Sequence, residues 1–189
     1  MSKIYLASQS PRRAELLTQL GVTFETLHNT VDESLIAGES AEDYVVRLAC
    51  AKSAFGWQQS NQQYPVLGAD TIVVIAQQIL GKPQNYADAQ RMLSLLSDNT
   101  HQVYTAVALT SAQKHVHCLV KTAVTFGHIS EQQIEAYWAS GEPQDKAGSY
   151  AIQGLGGQFV KHINGSYSAV VGLPLYETRQ LLNQIGYQP

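Results

Sequence analysis

Positive charge is in short supply: 12 Lys and Arg face 15 Asp and Glu over 189 residues, for a formal net charge of -3. Binding along a nucleic-acid backbone rests on a basic excess, so nucleic acid is not an expected partner. No apolar run reaches the ~18 to 20 residues that span a bilayer, and the polar start Met1-Ser2-Lys3 leads straight into a strand-like run. Neither a membrane anchor nor an export signal is expected. Cysteine is nearly missing: Cys50 and Cys118 stand far apart, with neither CxxC spacing nor the density of a disulfide framework, which fits a reducing cytoplasm. The pair His115-x-His117 beside Cys118 offers metal ligands, but β-alternation alone puts both rings on one face, and a metal is not expected there. Also absent is GxxxxGK[ST], so any grip on phosphate is not a Walker A loop.

What is present fits one globular domain over residues 1–189, with enough apolar sequence for a sizeable core. Ile4 to Ala7 reads as a buried strand, and Ala14 to Leu20 as a helix closed by Gly21. Ser40 with Asp43 opens a second helix whose apolar stripe is Tyr44, Leu48, Ala51 and Phe55, and Gln58 to Gln63 reads as loop. Val66 to Ile75 is an apolar strand interrupted by Asp70, with Ile79-Leu80 as its hairpin partner, and Asn85 caps a helix over Tyr86 to Leu96. Val103, Thr105, Val107 and Leu109 alternate with their neighbours, and Val116 to Phe126 returns antiparallel after the turn Ser111 to Lys114. Ser130 and Gln133 make a capping box for Glu131 to Ser140, closed by Gly141; Asn164-Gly165 marks a second hairpin turn, and a last helix, Leu175 to Ile185, follows Pro174. Strands alternate with helices but hairpins intervene, which argues for an α/β fold with a mixed sheet flanked by helices.

Four stretches carry chemistry. Ser8-Gln9-Ser10-Pro11-Arg12-Arg13 lies where a strand gives way to a helix: Pro11 suits the first turn, the free N–H groups and helix dipole attract anions, and two hydroxyls and two guanidinium forks match phosphate oxygens. The plainer alternative is a capped helix with two solvated arginines. Asp70 interrupts Val66-Leu67-Gly68-Ala69-Asp70-Thr71-Ile72-Val73-Val74, where an unpaired carboxylate costs several kcal/mol; it should face a metal, a cation or a wet cleft, unless the strand lies at an exposed edge. Glu33, Arg47, Lys52 and Lys82 are charges that could gather beside it, although each alone reads as a surface group. Lys52 borders the apolar stripe of its helix and so points toward a cleft. Last, Asp145 to Gly157, with Lys146 and Gln153, is dense in small residues and amides: its glycines let backbone approach a ligand, and the Gln153 amide offers a donor and an acceptor to a base edge, unless this is a flexible loop.

In this order, SQSPRRAELL, VDE at Val31 to Glu33, RLACAK at Arg47 to Lys52, GADTIVV, GKP, DKAGSYAIQG and GSYSAVVGLPL resemble the Maf family of nucleotide pyrophosphatases, over a stretch from Ile4 to about Leu175. The resemblance implies an elongated mixed sheet in two lobes around a central cleft, similar to the inosine triphosphate pyrophosphatases, and a homodimer. It implies that Asp70 is the general base that activates water, that Glu33 and Asp70 hold Mg²⁺ or Mn²⁺, and that Arg13, Lys52 and Lys82 neutralise the triphosphate. Arg12, Thr71 and Gln153 look like the branch acting on dTTP and UTP; the 7-methyl-GTP branch carries an aromatic at the first of these and a carboxylate at the last. Ser8, Ser10 and Lys146 complete the expected substrate contacts. Asp98 and Ala106 stand where the family has glycines, and Ala169 where Asn is common. Two rivals stay open at this point: a phosphomonoesterase removing the terminal phosphate, and a nucleotide sensor in cell division that binds without turnover.

Overall fold

The computed structural model describes residues 3–28 and 30–188, so Met1 and Ser2 of the polar start lie outside the described residues. The chain runs β1 (Ile4–Leu6), α1 (Pro11–Gln19), β2 (Phe24–Thr26), α2 (Ala41–Gln59), β3 (Val66–Ile75), β4 (Gln78–Leu80), α3 (Tyr86–Leu96), β5 (Thr100–Thr110), β6 (His115–Phe126), α4 (Glu131–Ala139), β7 (Val160–Asn164), α5 (Tyr167–Val171) and α6 (Leu175–Gln184). Three 3₁₀ turns, Glu142–Asp145, Ala147–Ser149 and Leu155–Phe159, lie between α4 and β7. Among the described residues, seven strands form one sheet in the order β2-β1-β3-β5-β6-β7, with β4 pairing to β3 off that path. β1 is parallel to β2 and β3, whereas β3–β4 and β6–β7 are antiparallel, so the sheet is mixed, as the interrupted alternation requires.

Local chemistry sets the boundaries. Ser40 Oγ accepts from the Asp43 N–H at 3.1 Å, Asn85 Oδ1 from the Asp88 N–H at 3.0 Å, and Ser130 with Gln133 forms a reciprocal capping box. Ala76 and Gln77 take φ of 46° and 64° to turn β3 into β4, a left-handed pair that sequence usually marks with Asn-Gly. Asp98, where the resemblance implies glycine, likewise sits at φ 56°, a backbone handedness that glycine takes without strain. Its carboxylate accepts from His128 Nδ1 at 2.8 Å.

Two expectations are corrected. Asn164-Gly165 is not a hairpin turn: β7 ends there, and Gly165, at φ 136° with Thr122 Oγ1 only 2.7 Å from where a Cβ would stand, leads into α5. Glycine is needed there for handedness and closeness, which in sequence look the same as a hairpin signal. In α2 the buried stripe is Val45, Leu48, Ala49, Ser53 and Gly56, while Tyr44, Ala51 and Phe55 are only half-buried. Ala49, Ser53 and Gly56 are small where β3 lies closest, and the bulky Tyr44 and Phe55 stand outside that contact. β2 had no sequence reading of its own.

The chain divides into two compact units, Met1–Asp70 with Thr105–Val120 and Gly172–Pro189, and Thr71–Tyr104 with Lys121–Val171. The first buries Ile4, Leu6, Leu17, Leu48, Leu67, Leu109 and Leu173 completely or nearly so. The second centres on Leu93, Leu96, Val124, Phe126, Ile134 and Phe159. Its core also holds His101, whose ring stands edge-on to Phe126 at 4.9 Å and to Tyr150 at 5.4 Å and meets the Tyr150 hydroxyl at 2.8 Å through Nε2. Nδ1 is buried with no hydrogen-bond partner among the described residues, and burial pushes the imidazole down to about 4. The unfolded chain therefore takes up this proton first as pH falls. Stability from this group is intact above pH ~6.5 and is lost as pH falls toward ~4, by up to about 3 kcal/mol. We expect urea midpoints to drop across that interval, and His101→Phe to flatten the dependence.

Candidate active site

β1 delivers the chain to Ser8, which is buried, and α1 starts three residues later. Ser8 Oγ accepts from the Ser10 N–H and from Arg13 Nη1, both at 3.2 Å, and Arg13 Nε donates to the Gly172 carbonyl at 2.9 Å. Arg13 is thus fixed at both ends of its guanidinium. Ser10 occupies the N-cap with extended backbone, but its hydroxyl does not cap the helix, and Pro11 follows at the first helical position. With no cap bond from the Ser10 side chain, the helix dipole at this end favours an anion. Arg12 is half-buried on that first turn.

The acidic and basic residues of the same unit converge. Lys52 Nζ lies 2.6 Å from Asp70 Oδ1 and 2.7 Å from Glu33 Oε1, with side-chain exposures of 12% for Lys52, 11% for Asp70 and 54% for Glu33. One ammonium thus joins a buried carboxylate to an open one. Burial pushes the Asp70 carboxyl up, opposed by the Lys52 ammonium and the Arg13 guanidinium. Desolvation lowers Arg13, opposed by Asp70, so these groups share one electrostatic environment. If Lys52 is exchanged for Met, burial acts on Asp70 with less opposition. On the expectation that Asp70 is a general base, the acid limb of kcat/KM then moves to higher pH, read from pH–rate profiles of the two proteins.

Glycine makes this meeting possible. A Cβ on Gly68 would stand 2.5 Å from both the Ala49 carbonyl oxygen and the Ser53 nitrogen, so β3 and the backbone of α2 touch with no room for a side chain. On the other side, Tyr44 donates its hydroxyl to the Glu33 carbonyl at 2.8 Å, and Arg47 donates to the Ser34 carbonyl at 3.0 Å while forking onto Glu39 at 2.6 and 2.8 Å. These contacts hold the segment bearing Glu33 against α2. Arg47, one of the scattered charges expected near Asp70, is engaged in this tether. Sequence carries no signal of the tether for Tyr44 or Glu39: Tyr44 stands one turn before Leu48 in the pattern of an apolar stripe.

Two carboxylates within reach of one cation are hard oxygen donors of the kind that hold Mg²⁺ or Mn²⁺, which bind through one or two carboxylates plus phosphate oxygens and water. Glu33 and Asp70 therefore fit the expected metal.

The remaining expected residues belong to the second unit. Thr71 is half-buried on β3, directly after Asp70, and Lys82 is exposed just past β4. Gly81 accepts from the Gly148 N–H at 3.0 Å, and Gly148, at φ 66°, lies so close to Val73 that a Cβ would meet Cγ2 at 2.8 Å. This pins the Lys146 loop to the Lys82 turn. Lys146 is half-buried with its ammonium paired to Asp145, and Gln153 is exposed. The loop carrying Gln153 is ordered by groups the sequence reading missed: Glu142 accepts from the N–H groups of Leu155 at 2.9 Å and Gly156 at 3.0 Å and from the Tyr137 hydroxyl at 2.6 Å. Burial works against the Glu142 carboxylate, but these donors hold it below its usual range. Tyr137 in turn accepts from the Ala151 N–H at 3.1 Å. The glycine-rich stretch is a built loop with a buried anchor.

A mixed α/β chain with a carboxylate, ammonium and guanidinium cluster beside an uncapped helix start is the architecture of a phosphate-handling protein. The chain belongs to the family of Maf-like proteins, whose signature matches residues 3–185. It is 60% identical over 185 residues to the dTTP/UTP pyrophosphatase of Pseudoalteromonas atlantica, covering 96% of each chain. It is 57% identical over 183 residues to that of Shigella dysenteriae serotype 1, covering 97% of this chain and 93% of the relative. The Vibrio vulnificus protein of the same name is 54% identical over 184 residues, covering 97% and 99%. Among solved structures, the Ham1 protein of Staphylococcus aureus superposes with a TM-score of 0.48 at 14% identity, over 66% of this chain and 71% of its own. So loose an overlay carries no argument about chemistry.

Proposed function

We propose that this protein hydrolyses dTTP and UTP between the α and β phosphates, releasing the nucleoside monophosphate and pyrophosphate. The observation that carries the reading is the Glu33–Lys52–Asp70 cluster with Arg13 beside it, in a chain whose relatives at 54 to 60% identity are named dTTP/UTP pyrophosphatases. Asp70 accepts a proton from the attacking water, and burial favours its taking one. Lys52 holds the Asp70 carboxylate in place, and Arg13 and the first turn of α1 offset charge on the phosphate oxygens. A Mg²⁺ or Mn²⁺ ion held by Glu33 and Asp70 would supply further neutralisation of the triphosphate.

Arg12, Thr71 and Gln153 are assigned to pyrimidine selection and Ser8, Ser10, Lys82 and Lys146 to the phosphates, with a homodimer and a cytoplasmic location as parts of the same reading. Among the described residues, no helix is long and apolar enough to cross a membrane. Incubation with a nucleotide panel in Mg²⁺ and in Mn²⁺, with phosphorus NMR of the products, tests it: monophosphate plus pyrophosphate is expected, and diphosphate plus orthophosphate would replace it with a phosphomonoesterase. Saturable binding with no turnover would leave a sensor. Arg12→Trp combined with Gln153→Glu should lower dTTP and UTP use relative to purine nucleotides at unchanged melting temperature. An unaltered ranking rejects these two residues as selectors.

A further inference from the structure

β-alternation places His115 and His117 on one face of β6 and Cys118 on the other, where burial and the Glu177 carboxylate push its thiol up to about 11. Cys118 is therefore not the neighbour of the two histidines. Cys50 is: its Sγ, from α2, and one ring nitrogen from each histidine all lie within 4.8 Å of one another. Sequence could not show this, because the cysteine comes from a helix 65 positions before the first histidine in a chain of 189.

We propose that Cys50, His115 and His117 form a binding site for a borderline-soft divalent cation of the Zn²⁺ class, separate from the hard-oxygen pair Glu33 and Asp70. The donor set is one sulfur and two imidazoles, which favours Zn²⁺ and its neighbours over Mg²⁺. Both histidines are exposed and Cys50 is half-buried, so a cation reaches the site from solvent and keeps a fourth position for water. A tetrahedral Zn²⁺ at ~2.3 Å from sulfur and ~2.0 Å from nitrogen spaces its ligands by roughly 3.5 Å, within reach of small rotations of two surface rings.

The surroundings fit as well. Thr110 Oγ1 lies 2.8 Å from His115 Nδ1 and 2.8 Å from Ser53 Oγ, and Ser53 Oγ donates to the Cys50 carbonyl at 3.1 Å. With Nδ1 donating to Thr110, Nε2 of His115 carries the free lone pair, the arrangement that outer-shell partners impose on metal-binding histidines. The same hydroxyl pair ties the backbone of Cys50 to the β5–β6 turn that presents the ring. Binding exchanges the thiol proton for the cation and releases that proton to the buffer. The bound cation joins α2 to β6 by bonds that the unfolded chain lacks, so it raises stability by mass action.

The test is a Co²⁺ titration of the full chain in excess Mg²⁺, followed by Zn²⁺ displacement. One Co²⁺ per chain is expected, with a thiolate-to-cobalt charge-transfer band and the intense visible bands of four-coordination, and one Zn²⁺ should remove both. Cys50→Ser should abolish the charge-transfer band. His117→Ala, on the exposed ring, should keep the metal-free melting temperature, lose the Zn²⁺-induced rise in it, and weaken binding by more than the ~10- to 100-fold that an outer-shell loss costs; Thr110→Val should fall within that smaller range. Asp70→Asn should keep the spectrum intact, so failure of the hydrolase reading does not touch this one. No charge-transfer band, or equal affinity in wild type and the Cys50 and His117 variants, would overturn the proposal.

Discussion

Asp70→Asn should leave the protein folded and reduce turnover of UTP or dTTP by roughly a hundredfold or more. On the proposed mechanism, the exchange preserves shape while removing the group that accepts the proton and one of the two oxygen donors that would hold a cation. Folding should not suffer, because an amide is cheaper than a carboxylate to bury and Lys52 keeps Glu33 as its partner at 2.7 Å. Pyrophosphate release, measured beside a thermal melt, separates the two effects. Activity within a few-fold of wild type would remove Asp70 from the chemistry, and a collapsed melt would show that the Lys52–Asp70 pair is needed for the fold itself.

Gly68→Ala carries the second large effect, on stability and activity together. The new methyl meets two backbone atoms at 2.5 Å, so it can be relieved only by moving α2 or β3 as a whole. Overpacking of this kind costs about 1–3 kcal/mol and occasionally more. Any shift of α2 also carries Lys52 away from Asp70, which it now meets at 2.6 Å. We expect a lowered urea midpoint and a fall in kcat in the protein that remains folded. Ala69→Gly, the neighbouring change without the clash, should leave the Lys52–Asp70 geometry, and so kcat per folded molecule, nearly intact. A Gly68→Ala protein with wild-type midpoint and kcat would show that the close approach of α2 to β3 has no bearing on either.

Elements with strong local signals were legible in the sequence. β3 spans Val66–Ile75 and α3 Tyr86–Leu96, as apolar continuity and the Asn85 cap indicate, and the Ser130–Gln133 box starts α4 where expected. Asp70 in an apolar strand called for a metal, a cation or a wet cleft, and of Glu33, Arg47, Lys52 and Lys82, the charges that could gather beside it, Lys52 is the one paired with it, at 2.6 Å. What escaped notice depends on distances the sequence does not encode. Glu142 and Tyr137 look like ordinary surface and helix residues until the loop they hold is in place, and the displaced stripe of α2 follows from a close approach of backbone. Asn164-Gly165 misled because one glycine signature serves both hairpins and tight passages. Cys50 shows no metal-ligand spacing in the sequence because His115 and His117 come near it only by way of the sheet.

The tether on the segment bearing Glu33 has an evolutionary consequence. Tyr44 and Arg47 grip main-chain oxygens at Glu33 and Ser34, which every amino acid supplies. Side chains farther along, such as the solvent-facing Leu35 and Ile36, are therefore free to drift without loosening the carboxylate. The clasping side chains on α2, with Glu39 as the counterweight to Arg47, are where selection should bear.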